Sequence, residues 1–261
     1  MHQDTRAIRE YLAWYRDVYG DLAYVLPESS LTITEPMSER PVQPGLFEEP
    51  TESTDPYACV EARIPTDSPL RQMRTLEEVE AYVRQTILIP IDKTRKNPVF
   101  SDGNPEADLM VIGEAPGAEE DRQGKPFVGR AGQLLNKMLQ AIGFAREDVY
   151  ITNILKSRPP NNRDPLPEEI QAHLPILYKQ IALVKPLVIL CVGRIAGNAL
   201  LGKNTTLKVL RSRVHTFCGL PVVVTYHPAA LLRNPQWKRA AWEDLQLLRK
   251  IYDERVAQKS S

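Results

Sequence analysis

Apolar positions along this chain change their spacing near residue 73. Beyond it, short continuous apolar runs alternate with longer amphipathic ones. Residues 109–112, 149–152, 187–192 and 222–225 are runs of strand length. Residues 131–142, 167–184, 194–201 and 236–256 place apolar side chains at helical spacing. Gly143 and Gly202 punctuate two of the helices, and Pro175 predicts a kink in a third. A further helix starts at Thr75, whose hydroxyl and Glu78 form a capping-box pair. It continues through Val79, Tyr82 and Val83 to about Ile87, before Pro90 stops it. Strands separated by helices predict an α/β fold: a three-layer α/β/α sandwich around a central, mainly parallel four-stranded sheet.

Before residue 73 the pattern is sparse. Ile8, Leu12, Tyr15 and Tyr19 recur at helical spacing, which predicts an N-terminal helix within residues 1–26. Residues 27–72 are acidic and rich in Pro, Glu, Ser and Thr, with few large apolar side chains, and read as a disordered linker. Residues 73–261 form the folded domain.

Composition narrows the setting. No apolar run is long enough to span a bilayer. Cys59, Cys191 and Cys218 are odd in number and far apart, so neither a disulfide framework nor a zinc site is expected, and a reducing cytoplasm is the default compartment. The net charge of zero hides an asymmetry. Residues 1–60 carry 4 basic and 11 acidic side chains, and the remainder 29 and 22. A mildly basic body with an acidic arm suits a polyanionic partner, although charge alone would favour ordinary solvated surface.

In open α/β sheets ligands bind beyond the carboxyl ends of the strands. The first end here reads Gly113-Glu114-Ala115-Pro116-Gly117, followed by Gly124-Lys125-Pro126-Phe127-Val128-Gly129-Arg130-Ala131-Gly132. Its acids, Glu114, Glu119, Glu120 and Asp121, do not suit a phosphate cradle. The second end delivers Asn153 and then Arg158-Pro159-Pro160-Asn161-Asn162-Arg163. The fourth delivers His227-Pro228-Ala229-Ala230-Leu231-Leu232-Arg233. Singly, each has a duller reading: Asn153 as a turn residue, His227 as a locally bonded turn histidine, Phe127 as core. Jointly they bring an amide, an imidazole, an aromatic ring and backbone donors to one sheet edge.

These motifs, in this order and spacing, resemble the uracil-DNA glycosylase superfamily, specifically its family 4. The likeness runs from about Asn97 to Leu248 and includes Gly103-Asn104-Pro105-Glu106-Ala107-Asp108 and Tyr150-Ile151-Thr152-Asn153. It implies an enzyme of base excision repair, a monofunctional glycosylase that flips uracil from DNA and hydrolyses its N-glycosidic bond. Phe127 would stack on the base, Asn153 would read its edge, and Glu120 would face the 5-position. Glu114 and Ala115 would bind uracil oxygens and seat the water through their backbone, and His227 would donate to O2. Leu231, Leu232 and Arg233 match the family's intercalation loop, with one of the two leucines free to be core, and Arg158 would help hold DNA. A monomer in a bacterial-type, nucleoid-associated setting is the corresponding expectation. The competing class is a non-catalytic DNA-binding or replication-accessory protein on the same fold.

The chain departs from family 4 at one feature. Where the family carries four cluster-ligating cysteines, this chain has Thr86, Ile89, Ser157 and His173. The expectation is therefore a protein without cofactor or metal. In the linker, Gln43-Pro44-Gly45-Leu46-Phe47 resembles the short peptide by which bacterial repair proteins bind the sliding clamp, with Gln43, Leu46 and Phe47 as its anchors.

Overall fold

The computed structural model describes residues 55–259. The expected helix over residues 5–19 and the peptide at Gln43, Leu46 and Phe47 lie outside them. Within them, the strands are β1 (Asp102–Gly103), β2 (Leu109–Gly113), β3 (Tyr150–Asn153), β4 (Val188–Val192), β5 (Val214–Phe217) and β6 (Leu220–Thr225). They form one sheet in the order β1-β3-β2-β4-β6-β5. The four expected strands are its centre and run parallel. The expected four-strand count is corrected to six, because β1 and β5 add antiparallel edges.

The described helices are α1 (Pro56–Ala62), α2 (Leu76–Gln85), α3 (Ala118–Gln123), α4 (Arg130–Ala141), α5 (Pro167–Val184), α6 (Arg194–Leu201), α7 (Leu207–Leu210), α8 (Pro228–Arg233) and α9 (Lys238–Lys259). Alternate residues of the central strands feed two cores, as the two-residue period of a strand requires. Met110, Ile112, Ile189, Cys191, Val222 and Val224 pack against α1, α5, α6 and α7. Leu109, Val111, Leu190, Val192 and Val223 pack against α4, α8 and α9. The layers are thus α/β/α, as expected. The helix α5 continues through Pro175, in the bounds the pattern predicts. The capping box of α2 forms, with Thr75 Oγ1 accepting from Glu78 N at 3.2 Å and Glu78 Oε2 accepting from Thr75 N at 3.2 Å.

The linker expected over residues 27–72 is corrected at its C-terminal end. Residues 55–72 contain α1 and a short 3-10 turn, and Val60, Ile64 and Leu70 are buried. Ile64 and Leu70 join Val79, Val83, Phe100 and Ile176 in a third, smaller core between α2 and α5. Three apolar anchors in an otherwise polar stretch are enough because α5 already offers an apolar face. The cysteine expectation is corrected too. Cys59 of α1 and Cys218 of the β5–β6 turn form a disulfide, with a Cα–Cα distance of 5.6 Å and a separation of 159 positions in the chain. No local spacing could announce such a pair. Cys191 stays free and buried. Among the described residues no helix is long and apolar enough to cross a membrane.

Candidate active site

The parallel strands end on one side of the sheet, and a cavity of about 370 Å³ opens there. Glu114 to Gly117 line it from beyond β2, Glu120 from α3, Phe127 from the turn before α4, Asn153 from the end of β3, and His227 from the start of α8. The far wall comes from Pro159, Asn162, Arg163 and Asp164, and the rim includes Arg233. All six residues expected in the pocket, Glu114, Ala115, Glu120, Phe127, Asn153 and His227, are therefore brought together.

Asn153 is 2% exposed, yet its side-chain Oδ1 has no hydrogen-bond partner. A buried amide oxygen left without a donor costs about 1–3 kcal/mol, so its position calls for a ligand group. Gly113, its register partner on β2, makes the position possible. A Cβ at Gly113 would collide with Asn153 Oδ1 and with the tip of the Phe127 ring.

Phe127 is also held in an unusual conformation. Its φ is +51°, in the left-handed region that side chains other than glycine rarely adopt. Gly132 accommodates it, because a Cβ there would run into the Phe127 carbonyl. Glu120 secures the following residues: its Oε1 accepts from Val128 N and Gly129 N, both at 3.0 Å. The carboxylate expected to face a substrate thus also holds the backbone that leads into α4.

His227 has a defined tautomer. Its Nδ1 accepts from Ala229 N at 3.2 Å, which leaves the proton on Nε2. The local turn bond and a role in the cavity are therefore compatible, since the one fixes the donor for the other. Burial, with Arg233 reinforcing and Glu120 opposing, pushes the imidazole down to about 4. Its ring centroid lies 5.7 Å from that of Phe127 at an interplanar angle of 32°. Across the cavity, burial and the charge of Asp164 push the Glu114 carboxyl up to about 7, against the pull of Arg194. Arg194 itself pairs with Asp164 at 3.6 Å.

The expected intercalation loop is divided. Leu231 is 0% exposed and belongs to the core beneath α8, which corrects its assignment to the DNA surface. Leu232 is 38% exposed and Arg233 is exposed at the rim. Consecutive helical residues point about 100° apart, so Leu231 faces the core while Leu232 faces outward. Arg158 does not line the cavity, and its Nε donates to Asn162 Oδ1 at 2.7 Å. Residues given no role from the sequence are Arg163, Asp164 and Arg194, together with Arg146 behind Phe127. The first three are visible as charges near strand ends. Arg146 has no local signal.

A family model for the uracil DNA glycosylase superfamily matches residues 100–246, which include every residue lining this cavity. The chain belongs to the uracil DNA glycosylase superfamily. A type-4 uracil-DNA glycosylase of Archaeoglobus fulgidus is 41% identical over 172 residues, covering 63% of this chain and 86% of that protein. One of Thermotoga maritima is 41% identical over 175 residues, covering 66% and 91%. A type-5 uracil-DNA glycosylase of Pyrobaculum aerophilum is 33% identical over 154 residues, covering 52% and 68%.

The blanket exclusion of a cofactor does not survive this membership. The two 41% identical relatives are type-4 proteins, the group to which the resemblance attaches a cluster, so kinship gives the exclusion no support. Ser157 Oγ donates to Asp92 Oδ1, and His173 Nε2 lies 3.2 Å from the same oxygen. Ile89 N donates to Asp92 Oδ2 at 3.2 Å, and the Thr86 carbonyl accepts from Arg95 Nη2 at 3.0 Å. Burial works to raise the Asp92 carboxyl, but hydrogen bonds from His173 and Ser157 hold it well below the usual carboxylate range. The fold thus gathers all four positions around the Asp92–Arg95 pair, and their side chains do not fit four thiolate ligands. Among the described residues no group of three or more His, Cys, Asp or Glu side chains is placed to hold a metal ion.

Proposed function

We propose that this member of the superfamily is a uracil-DNA glycosylase that hydrolyses the bond between uracil and deoxyribose in DNA. The observation that carries the reading is the unpartnered Oδ1 of Asn153, buried at the cavity wall beside Phe127. Uracil offers a donor at N3 and an acceptor at O4. The Asn153 amide would accept from N3–H through Oδ1 and donate to O4 through Nδ2. Cytosine exchanges that donor and acceptor, so both bonds fail together. Each unmet buried group costs about 1–3 kcal/mol, enough to exclude it. Phe127 would stack on the base once it has left the helix.

As the bond from C1′ to N1 breaks, negative charge develops on the uracil oxygens. His227 presents a fixed Nε2–H donor toward the cavity and stays neutral at physiological pH. A preorganised donor of this kind is worth roughly 3–4 kcal/mol of barrier. Glu114, with its carboxyl near neutrality, would accept a proton from the water that bonds to C1′. The bond pair leaves with uracil, and an abasic sugar remains. Leu232 would fill the gap in the helix, while Arg233 holds phosphate. No lyase step is called for by these residues, so the reaction is read as monofunctional.

Outside the described residues, the peptide Gln43-Pro44-Gly45-Leu46-Phe47 is proposed to dock on a sliding clamp through Leu46 and Phe47. Pull-down of a clamp by wild type but not by Leu46→Ala/Phe47→Ala, with equal excision on short oligonucleotides, is the expected outcome. Equal capture by both would remove the peptide from the account. The glycosylase reading itself is tested by alkali-labile cleavage of an oligonucleotide carrying one uracil. Binding without cleavage would favour the non-catalytic alternative.

A further inference from the structure

Phe127 can stack on a base only if its turn keeps the left-handed backbone, and one side chain outside the cavity grips that turn. Arg146 Nη2 donates to the Pro126 carbonyl at 2.6 Å, and its Nη1 donates to the Phe127 carbonyl at 3.1 Å and to Asn136 Oδ1 at 2.9 Å. Its Nε donates to Asp102 Oδ2 at 2.8 Å. Asp102 in turn sits in β1, paired with Ile151 of β3. A line of contacts therefore runs from the sheet through Asp102 and Arg146 to the two carbonyls that precede Val128. On the opposite side Glu120 accepts from Val128 N and Gly129 N. The turn is held from both ends by charge-assisted bonds.

We infer that Arg146, oriented by Asp102, is a positioning residue that fixes the Phe127 ring for base stacking. The inference rests on the glycosylase reading for its substrate, but the grip on the turn does not. A guanidinium suits the task because its planar fork reaches two carbonyls, an amide oxygen and a carboxylate at once, which an ammonium on a flexible stem cannot. With the grip lost, the backbone at Phe127 relaxes toward negative φ and the ring leaves the cavity wall.

The test uses the full chain as wild type, Arg146→Lys and Arg146→Ala. Misplacing the ring by about 1 Å should slow single-turnover uracil excision by roughly 10–100-fold. Loss of one stacked base should weaken inhibition by free uracil roughly 5–150-fold. Affinity for abasic-site DNA should change by no more than about twofold, because phosphate contacts dominate it. Added guanidinium should restore part of the rate to Arg146→Ala, relative to sodium chloride of equal ionic strength. Amide exchange at Val128 and Gly129 should quicken in Arg146→Lys, with α9 unchanged. Unaltered exchange at these two amides would overturn the grip, whether or not the wild type excises uracil. Quickened exchange with wild-type excision and uracil inhibition would overturn the link to stacking. Activity that falls only in step with melting temperature, without guanidinium rescue, would also overturn it. A wild type that releases no uracil would sink the functional reading instead, leaving the exchange result to decide the grip.

Discussion

Gly113 and Asn153 are register partners at the ends of β2 and β3, and the missing side chain of the one makes room for the amide of the other. The same gap admits the Phe127 ring, so one hydrogen in place of a methyl group shapes two walls of the cavity. Gly113→Ala should therefore displace both groups. Single-turnover excision should fall by about two orders of magnitude, the scale of an ångström's misplacement. Melting temperature should fall more modestly, because side-chain ends can give way. A near-normal rate would mean that the amide and ring are not where recognition occurs.

Burial pushes the Glu114 carboxyl up to about 7 and the His227 imidazole down to about 4, so of the two only Glu114 changes charge above about pH 5. Excision should rise through pH 7 to a plateau, and Glu114→Gln should be slow and lack that rise. The linkage runs the other way. The folded state holds the Glu114 proton above its ordinary 4.5, so the stability it contributes is complete below that value and is lost as pH rises through 7. Glu114→Gln should thus melt higher than wild type at pH 8 and no higher at pH 4. Equal pH–rate profiles for the two proteins would remove Glu114 from the chemistry.

Leu231 and Leu232 separate stability from DNA contact. Leu231→Ala should cost about 2–5 kcal/mol, as buried leucine truncations do, and this is read by denaturant melting. Leu232→Ala should leave stability within about 0.5 kcal/mol, the usual range for exposed sites, and slow excision more on duplex than on single-stranded DNA. Equal effects of the two substitutions on both measurements would contradict the division.

The Cys59–Cys218 disulfide ties α1 to the far edge of the sheet. Closing a loop of this length is worth up to about 5 kcal/mol, and engineered examples usually deliver less. Reductant, or Cys59→Ser, should lower the melting temperature while leaving excision rates at 25 °C unchanged. No thermal effect would place the bond outside the native protein in solution.

These outcomes bear on how much was legible in the sequence. The four central strands follow from unbroken apolar runs, and α5 from apolar positions at helical spacing after Pro167. The edges do not. In β5 the buried positions are His215 and Phe217 while Val214 and Thr216 face outward, so polarity hides the strand. His215 is tolerated inside because its Nε2 meets the Leu210 carbonyl at 2.8 Å. β1 is only Asp102–Gly103, too short for any period. The cavity residues were readable because the parallel sheet sends every strand end to one side. Arg146 and the Cys59–Cys218 pair were not, because their partners are distant in the chain.

The most direct measurement is single-turnover release of uracil from a defined oligonucleotide by the purified full chain, with Asn153→Asp and His227→Ala alongside. Wild type should release uracil and not cytosine. Asn153→Asp should weaken release, since a carboxylate cannot donate to O4. His227→Ala should lower the rate by roughly 10²–10³-fold, the usual scale for one oxyanion donor, with DNA affinity little changed. His227→Asn, which can keep a turn bond, should not rescue it. A wild type that binds the uracil-containing strand and releases nothing, or a His227→Ala protein that stays folded and excises at the wild-type rate, would contradict the account.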